Sequence, residues 1–389
     1  MSMKEADTVL VRYGEISLKS QDIRSRMTNR LCSNINSVLK DRDIEGIVKN
    51  KWSRIFVDDI KKPGKVVDAV ADVPGVVSAS PCRVTDPDME SIRKSLRKLA
   101  EGMDFSSFRV TARRAGEKEA HPFTSQDIER EGGSAVMSSE EGLEVDLEDF
   151  DQEFFVECRK DRAFIFSEKV EGPGGLPVGS EGKVVALISG GHDSPVAAYS
   201  MMKRGCEIVP VYISMGEYSG IDHEIRAMET LKALKKFHPE GDWDMRIVEA
   251  GEYVGRMMDE LRNTRMVSFR RFMFRVAEII AQDEGCRGIV TGESLGQKSS
   301  QTLGNLKLTS KAVNMPVHRP LLTRDKSDIV ETARSIGTFK GSKIRAGCTE
   351  IAPSRPETSG DEWKVFREEP DELFEWAEKA AERVRKEEV

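Results

Sequence analysis

The chain has 389 residues, 38% hydrophobic and 33% charged, which is typical of a soluble globular protein with two or three domains. Its 60 basic and 67 acidic residues give a net charge of −7, which argues against nonspecific coating of nucleic acid but allows a local basic face. No stretch is long and apolar enough for a membrane span or a signal peptide, so we expect a cytoplasmic protein with no membrane partner.

The first 170 residues mix strand and helix patterns in α+β fashion. A hairpin is predicted at 154–166, where two apolar runs flank a charged turn at 159–162. Other strands are expected at 8–13, 54–57, 76–80 and 108–114, and helices at 23–39, 90–99 and 125–130.

A stretch rich in glycine and proline at 171–183 is typical of a linker or an ordered loop. Beyond it, apolar runs at 184–189 and 208–214 flank a helical pattern, as in a βαβ unit. Further strand and helix patterns alternate after them, which predicts a doubly wound parallel sheet. An acidic, helical tail is expected at 361–389.

The six cysteines are scattered singly, with no CxxC pair, no HExxH motif and no zinc-ribbon spacing in the chain. The sequence therefore predicts neither a disulfide framework nor a resident metal. We expect all cysteines except Cys348 at core or strand positions. Cys348 lies in RAGCTEIAPSRPET, next to Arg345 and polar residues, where a thiol can gain thiolate character, although a lone cysteine is also often inert.

The sharpest functional motif is SGGHDS at 189–194, between an apolar strand and a helix. Its glycines let the backbone approach an anion, the hydroxyls of Ser189 and Ser194 add donors, and the helix N-terminus is positively polarised. The motif is neither GxxxxGK[ST] nor GxGxxG. It predicts a phosphate-binding loop, and the alternative is a plain glycine turn.

Two further segments are candidates for the same site. The polar, glycine-spaced loop 291–306 follows a predicted parallel strand, where open α/β sheets bind ligands, although it is also compatible with a solvated loop. Asp325 is a candidate cap of the next helix and places Lys326 in its first turn. A lysine there is unfavourable for the helix dipole, so either an anionic partner compensates it or it is a solvated surface residue.

Together these segments resemble the tRNA 4-thiouridine synthetase family over nearly the whole chain. RYGEISLK at 12–19 is similar to the opening of the family's ferredoxin-like domain, and FRVTARR, EVDL and the hairpin look like its tRNA-binding THUMP domain. SGGHDSPVA, TGESLGQKSSQTL, RPLL..DK and IGT look like its PP-loop ATP pyrophosphatase domain. The resemblance implies an α/β protein with α+β ferredoxin-like (1–63) and THUMP (64–171) domains and a doubly wound parallel-sheet catalytic domain (172–389).

The resemblance also implies ATP-dependent conversion of the tRNA uridine at position eight to 4-thiouridine, with sulfur delivery for the thiamine thiazole as a further role. Cys348 would carry the sulfur as a persulfide, while Asp193 and Lys326 would handle Mg²⁺, pyrophosphate or developing charge. The family's ATP contacts fall on Leu187, Ile188, Ser189, Gly190, Gly191, Asp193, Ser194, Tyr212, Ile213, Arg270, Gly292, Gln297 and Gln301.

In the implied mechanism, ATP adenylates uridine O4 and the Cys348 persulfide displaces AMP. The sulfur donor would be a cysteine desulfurase persulfide or sulfide. A mixed disulfide results that a second thiol must resolve. Members with a rhodanese-like domain carry that thiol, and archaeal members with an iron–sulfur cluster carry a CxxC. Here no cysteine follows Cys348, and 266–269 reads MVSF, so the sulfur donor stays open. His192, where the family usually has an apolar residue, is interpreted as a tolerated loop variant.

A tRNA partner requires a basic face. The resemblance implies that members act as homodimers. Two alternatives stay open: a PP-loop ligase for a small molecule, and a tRNA-binding protein without catalysis. The candidate tRNA contacts are Arg12, Lys19, Arg113 and Arg114, with Arg24, Arg26, Arg159 and Lys160 as further cations.

Overall fold

The computed structural model of the chain describes residues 6–51, 53–115, 120–239, 241–344 and 351–389. Within them the chain forms two units, Met1–Leu176 and Pro177–Val389. Cys348 lies outside the described residues. No helix in the described part is long and apolar enough to cross a membrane.

The first unit contains a nine-stranded sheet in the order β2-β3-β1-β4-β8-β7-β5-β6, with β9 also paired to β4. The predicted hairpin is confirmed, since β7 and β8 pair antiparallel. The strands are β1 Thr8–Arg12, β2 Ile47–Lys51, β3 Arg54–Asp58, β4 Ser78–Thr85, β5 Ser107–Arg114, β6 Glu144–Val145, β7 Gln152–Cys158, β8 Ala163–Phe166 and β9 Val170–Glu171.

Four helices cover this sheet: α1 Gln21–Asp41, α2 Pro63–Ala71, α3 Met89–Ala100 and α4 Ser125–Met137. α1 buries Leu31, Ile35 and Val38 at helical spacing, in a core that also includes α2 and the start of β4. α4 is longer than predicted and begins with a capping box between Thr124 and Asp127. The first core therefore continues past residue 63, and the proposed domain boundaries stay predictions.

The second unit contains a six-stranded sheet in the order β14-β13-β10-β11-β12-β15. All pairings are parallel except the one between β12 and β15. The strands are β10 Lys183–Leu187, β11 Glu207–Ser214, β12 Asp244–Glu249, β13 Ile289–Val290, β14 Val317–His318 and β15 Val384–Glu388.

Helices lie on both faces of this sheet, because successive residues of β10 point into different cores. Val184 and Ala186 face α5, α6 and α10, while Val185 and Leu187 face α7, α8 and α13. The predicted doubly wound architecture is thereby confirmed. The helices are α5 Asp193–Lys203, α6 Ile221–Lys235, α7 Gly251–Glu260, α8 Arg265–Asp283, α9 Leu303–Ser310, α10 Lys326–Ser335, α11 Phe339–Ser342, α12 Glu362–Glu368 and α13 Leu373–Ala381.

The acidic, helical tail predicted at 361–389 is helical only in its first part, α12 and α13. After these helices the chain forms β15, which pairs antiparallel with β12 and is the edge strand of the sheet. Val384 packs against one core of the sheet and Val389 belongs to the other, while the four charged residues between them are exposed. The sequence pattern does not reveal this short edge strand, because its charged residues are exposed and only Val384 and Val389 contact the cores.

Candidate functional site

The predicted phosphate loop is closed by its own serines. It connects the end of β10 to the start of α5, as the motif predicts. The backbone N–H of Ser189 donates to Ser194 Oγ (2.8 Å), and the two hydroxyl oxygens lie 3.0 Å apart. These bonds hold the turn so that the N-terminus of α5 faces the carboxyl edge of the sheet, where an anion is stabilised.

At two positions of the site, neighbouring atoms lie too close to leave room for a side chain larger than that of glycine. A Cβ at Gly292 would lie 2.7 Å from backbone atoms of Asp193 and Ser194, and one at Gly190 would lie 2.8 Å from Arg226 Cβ. The end of β13 therefore touches the first turn of α5 directly. Any larger residue at 292 would displace the helix N-terminus.

Lys326 has the anionic partner that its position requires. Its Nζ donates to Asp193 Oδ1 at 2.7 Å, which joins the first turns of α10 and α5. Asp325 occupies the N-cap position of α10, but its side chain makes no capping hydrogen bond. His192 Nε2 lies 3.7 Å from the same Asp193 oxygen, and burial lowers the pKa of His192, so its neutral form is favoured.

A cleft opens beside the loop, with about 740 Å³ of empty space including its mouth, within the range of small-molecule sites. One wall is apolar and consists of α8 residues Met266, Phe269, Met273 and Phe274. Lys298 lies on the polar side, where desolvation and the charge of Arg270 lower the pKa of its ammonium group. The cleft thus combines an apolar surface for a ring with a positive potential for phosphates.

Several predicted ATP contacts come together here and others do not line the cleft. Tyr212 and Ile213 are buried in β11, where burial raises the pKa of Tyr212 to about 12. Gly190, Gly191, Gln297 and Lys326 are also not part of the cleft wall. The predicted residues that line it are Leu187, Ile188, Ser189, Asp193, Ser194, Arg270, Gly292 and Gln301.

Sequence reasoning missed a buried charge cluster behind Arg270. Glu293 accepts a hydrogen bond from Arg270 Nη1 (2.7 Å) and another from Arg319 Nε (2.8 Å). Its side chain is only 1% exposed. Glu293 lies in the candidate loop 291–306, and Arg319 begins the motif RPLL..DK. An ion pair between residues 26 positions apart leaves no local signal in the sequence.

The chain that resumes after the undescribed residues 345–350 is fixed to this region. Asn305 Nδ2 donates to the carbonyl oxygens of Ser299 (3.0 Å) and Glu357 (2.8 Å). Burial alone would raise the pKa of Glu357, but hydrogen bonds from Lys364 and Ser359 outweigh it and lower the pKa to about 2. Glu357 is therefore an ionised anchor for the segment beyond Cys348.

The candidate tRNA contacts of the first unit differ in exposure. Arg113, Arg26 and Lys160 are exposed, and Lys19, Arg24 and Arg114 are half-buried. Arg12 is half-buried and donates to Ser80 Oγ at 2.9 Å. Arg159 is buried and paired with Glu157, so its inclusion in an exposed basic face is wrong.

The described residues include no group of three or more His, Cys, Asp or Glu side chains that could hold a metal ion. Asp193 is a single carboxylate at the phosphate loop. One carboxylate fits a Mg²⁺ ion that is bound mainly by nucleotide phosphates rather than by a protein cage.

Three family models match the chain. The model described as thiamine biosynthesis protein (ThiI) matches residues 179–374, the ThiI ferredoxin-like domain matches 8–80, and the THUMP domain matches 87–168. These matches confirm the predicted kinds of domain and their order along the chain.

Two relatives and one solved structure match nearly the full length. A probable tRNA sulfurtransferase of Halobacterium salinarum is 45% identical over 380 residues, 97% of this chain and 96% of the relative. One of Methanosarcina acetivorans is 38% identical over 374 residues, 94% of this chain and 89% of the relative. The crystal structure of a 4-thiouridine synthetase–RNA complex with bound ATP superposes with a TM-score of 0.84 at 28% identity, covering 99% of this chain and 100% of that one.

Proposed function

The chain belongs to the ThiI family of tRNA sulfurtransferases, and from this premise we propose that it converts a tRNA uridine to 4-thiouridine in an ATP-dependent reaction. The observation that carries the proposal is the cleft at the carboxyl edge of the parallel sheet. There a serine-closed anion loop, the Asp193–Lys326 pair and Arg270 lie beside an apolar wall. A nucleoside triphosphate requires such groups, since the loop and cations bind its phosphates and the apolar wall contacts its base.

The first step is adenylation. Uridine O4 attacks the α-phosphorus of ATP, the bond to the bridging oxygen breaks, and pyrophosphate leaves. Arg270 and the N-terminus of α5 stabilise the added negative charge, and Lys326, which donates to Asp193, supplies a cation for the departing pyrophosphate. A Mg²⁺ ion held by Asp193 and the phosphates would supply further charge neutralisation.

The second step is sulfur transfer. The terminal sulfur of a Cys348 persulfide attacks C4 and AMP leaves with the former O4. The product is a disulfide between the nucleotide sulfur and Cys348. A second thiolate then attacks Cys348 Sγ, which releases 4-thiouridine and leaves a disulfide between Cys348 and that thiol for reduction.

The described cysteines do not offer that second thiol readily. Cys82, Cys158, Cys206 and Cys286 are buried, Cys32 is half-buried, and burial raises the pKa of each thiol. A buried, protonated thiol is a poor nucleophile. We propose that an external thiol resolves the intermediate, and that the persulfide comes from a cysteine desulfurase. Sulfide, as the other proposed donor, would attack C4 directly and displace AMP, because it cannot form a persulfide without an oxidant. Met266 and Phe269 form apolar wall here, at the positions where some relatives carry a CxxC.

We further propose that the first unit binds tRNA, through Lys19, Arg113, Arg114 and Arg12, and that the protein acts as a homodimer. The THUMP match and the RNA in the similar crystal structure support the tRNA partner. Sulfur delivery for the thiamine thiazole is a further proposed role, supported by the description of the matching family model.

The test is a reconstituted thiolation. Purified protein is incubated with unmodified tRNA, ATP, Mg²⁺ and a cysteine desulfurase with cysteine, and 4-thiouridine is read by its near-ultraviolet absorbance. Wild type should form product, whereas Cys348→Ala should still release pyrophosphate in the adenylation step and form no 4-thiouridine. Binding of tRNA without pyrophosphate release would contradict the proposal and favour a non-catalytic tRNA-binding protein.

A further inference from the structure

The buried carboxylate of Glu293 divides its two oxygens between two arginines. Oε1 accepts from Arg270 Nη1 at 2.7 Å, and Oε2 accepts from Arg319 Nε at 2.8 Å. The side chain of Glu293 is 1% exposed, against 17% for Arg270 and 12% for Arg319. Because Glu293 directly follows Gly292 at the end of β13, its backbone is held by the close approach to α5.

The two arginines have different surroundings. Arg319 does not line the cleft. Its Nη2 donates to Ser310 Oγ of α9 at 3.0 Å, and its guanidinium lies 5.8 Å from the ring centre of the wall residue Phe274. Arg270 lines the cleft, and its Nε donates to Ser300 Oγ at 3.0 Å. A guanidinium has about five N–H groups, so those not occupied by Glu293 and Ser300 can reach a ligand.

The charge balance of the cluster favours an anion. Two guanidinium groups and one carboxylate leave one net positive charge on the wall of the cleft. Without the carboxylate, the two arginines would repel each other and Arg270 would lose the partner that fixes its plane. Arg319 in turn orients the carboxylate of Glu293 through its hydrogen bond to Oε2.

We propose that Glu293 is a positioning residue for the nucleotide reaction: held by Arg319, it aims the guanidinium of Arg270 at the phosphates of ATP. This inference rests on the proposed function, since it takes ATP as the occupant of the cleft. Glu293 is part of the cleft lining, but its side chain is only 1% exposed and its two oxygens accept from Arg270 and Arg319. Its effect on ATP passes through Arg270.

The test is the affinity for a non-hydrolysable ATP analogue with Mg²⁺, measured by calorimetry on the full chain. Glu293→Gln keeps the shape but removes the charge that orients Arg270, and we expect affinity to fall about tenfold or more, the scale of one charge-assisted hydrogen bond. In an Arg270→Gln background the same substitution should cause no further loss, because the residue through which it acts is gone.

Glu278→Gln is the matched control. Glu278 is also fully buried in the second unit, pairs with Arg275, and accepts from the backbone N–H groups of Asn314 and Met315, but it does not line the cleft. Its loss should lower the melting temperature and leave analogue affinity unchanged, which separates a positioning role from a structural one.

Wild-type analogue affinity in folded Glu293→Gln, or additive losses in the double variant, would overturn the inference. If Glu293→Gln does not fold, Arg319→Lys replaces it: a several-fold loss of affinity supports the inference and unchanged affinity overturns it. A wild-type protein that binds no analogue would instead refute the proposed function, so the two failures are distinguishable.

Discussion

Charged clusters at two places on the same sheet have opposite surroundings. At the cleft, Glu293 is buried between Arg270 and Arg319. At the far edge, Arg385 of β15 is 44% exposed and pairs with Glu224, Glu249 and Glu387. The hydrogen bond to Glu224 and those to the other two glutamates raise the pKa of Arg385, yet solvent screens such pairs strongly.

The difference shows where ion pairs matter. A buried carboxylate that loses its partners, or a guanidinium that loses its carboxylate, costs several kcal/mol, about 3–5 in measured cases. An exposed pair contributes about 0–1 kcal/mol. We therefore expect substitutions at the cleft to alter catalysis strongly and those at β15 to alter stability slightly.

The largest effect should come from Asp193→Asn. The substitution neutralises the partner of Lys326 at the phosphate loop, and we expect AMP formation to fall by about 10²–10³, the scale of losing one preorganised charged group. Release of labelled AMP and pyrophosphate in the presence of tRNA is the readout. Asp328→Asn, on an exposed site in the first turn of α10, should retain wild-type activity; an active Asp193→Asn enzyme would contradict this assignment.

Gly292→Ala should have the next largest effect. Its Cβ would lie 2.7 Å from the backbone of Asp193 and Ser194, and displacing α5 should weaken ATP-analogue binding by about 10- to 100-fold, since overpacking typically costs about 1–3 kcal/mol. Gly133→Ala is the control, because its Cβ would meet no atom within 4 Å in α4. Equal affinity in both variants would show that the close approach is not needed.

A pH-dependent effect is expected at Glu357. Its pKa in the folded state is about 2, below the ordinary value of 4.5, so its stabilisation is complete above pH 4.5 and is lost as the pH falls through the folded value. The shift corresponds to at most about 3 kcal/mol. Denaturant titrations between pH 6 and 3 should show a steeper loss of stability for wild type than for Glu357→Gln.

Glu375→Gln is the control for this pH series, since Glu375 pairs with Lys379 on the exposed surface of α13. It should follow the wild-type curve. Parallel curves for wild type and Glu357→Gln would show that Glu357 is not ionised and anchored in the way the contacts indicate.

The smallest effect is expected for Arg385→Ala. The exposed network should contribute less than about 1 kcal/mol to the free energy of unfolding, and that contribution should decline further in high salt. Denaturant titration at low and high ionic strength checks both points. A loss of unfolding free energy well above this value, or one independent of salt, would contradict the contrast between the exposed Arg385 network and the buried Glu293 cluster.

The sequence was most informative where a short motif and its flanking periodicity agree. SGGHDS between an apolar run and a helical pattern predicts the strand, loop and helix that the structure contains. The position of Lys326 in a first helical turn predicted an anionic partner, and Asp193 is that partner. The predicted ATP and tRNA contacts themselves stay predictions.

Features that depend on distant residues were not predictable in this way. Glu293 pairs with Arg319, 26 residues away, and β15 pairs with β12, which lies more than a hundred residues earlier in the chain. The charged turn predicted an exposed Arg159, but its guanidinium is buried and pairs with Glu157 on the same hairpin. Pairing partners of this kind are set by tertiary packing and leave no periodic signal.

The central claim is that the cleft adenylates the oxygen of a uridine, and an isotope label tests it most directly. Unmodified tRNA would be transcribed with oxygen-18 at uridine O4 and converted by the enzyme with ATP and a sulfur donor, and the AMP would be analysed by mass spectrometry. The account predicts that AMP carries the heavy oxygen in proportion to the 4-thiouridine formed. AMP that takes its oxygen from water instead would contradict it.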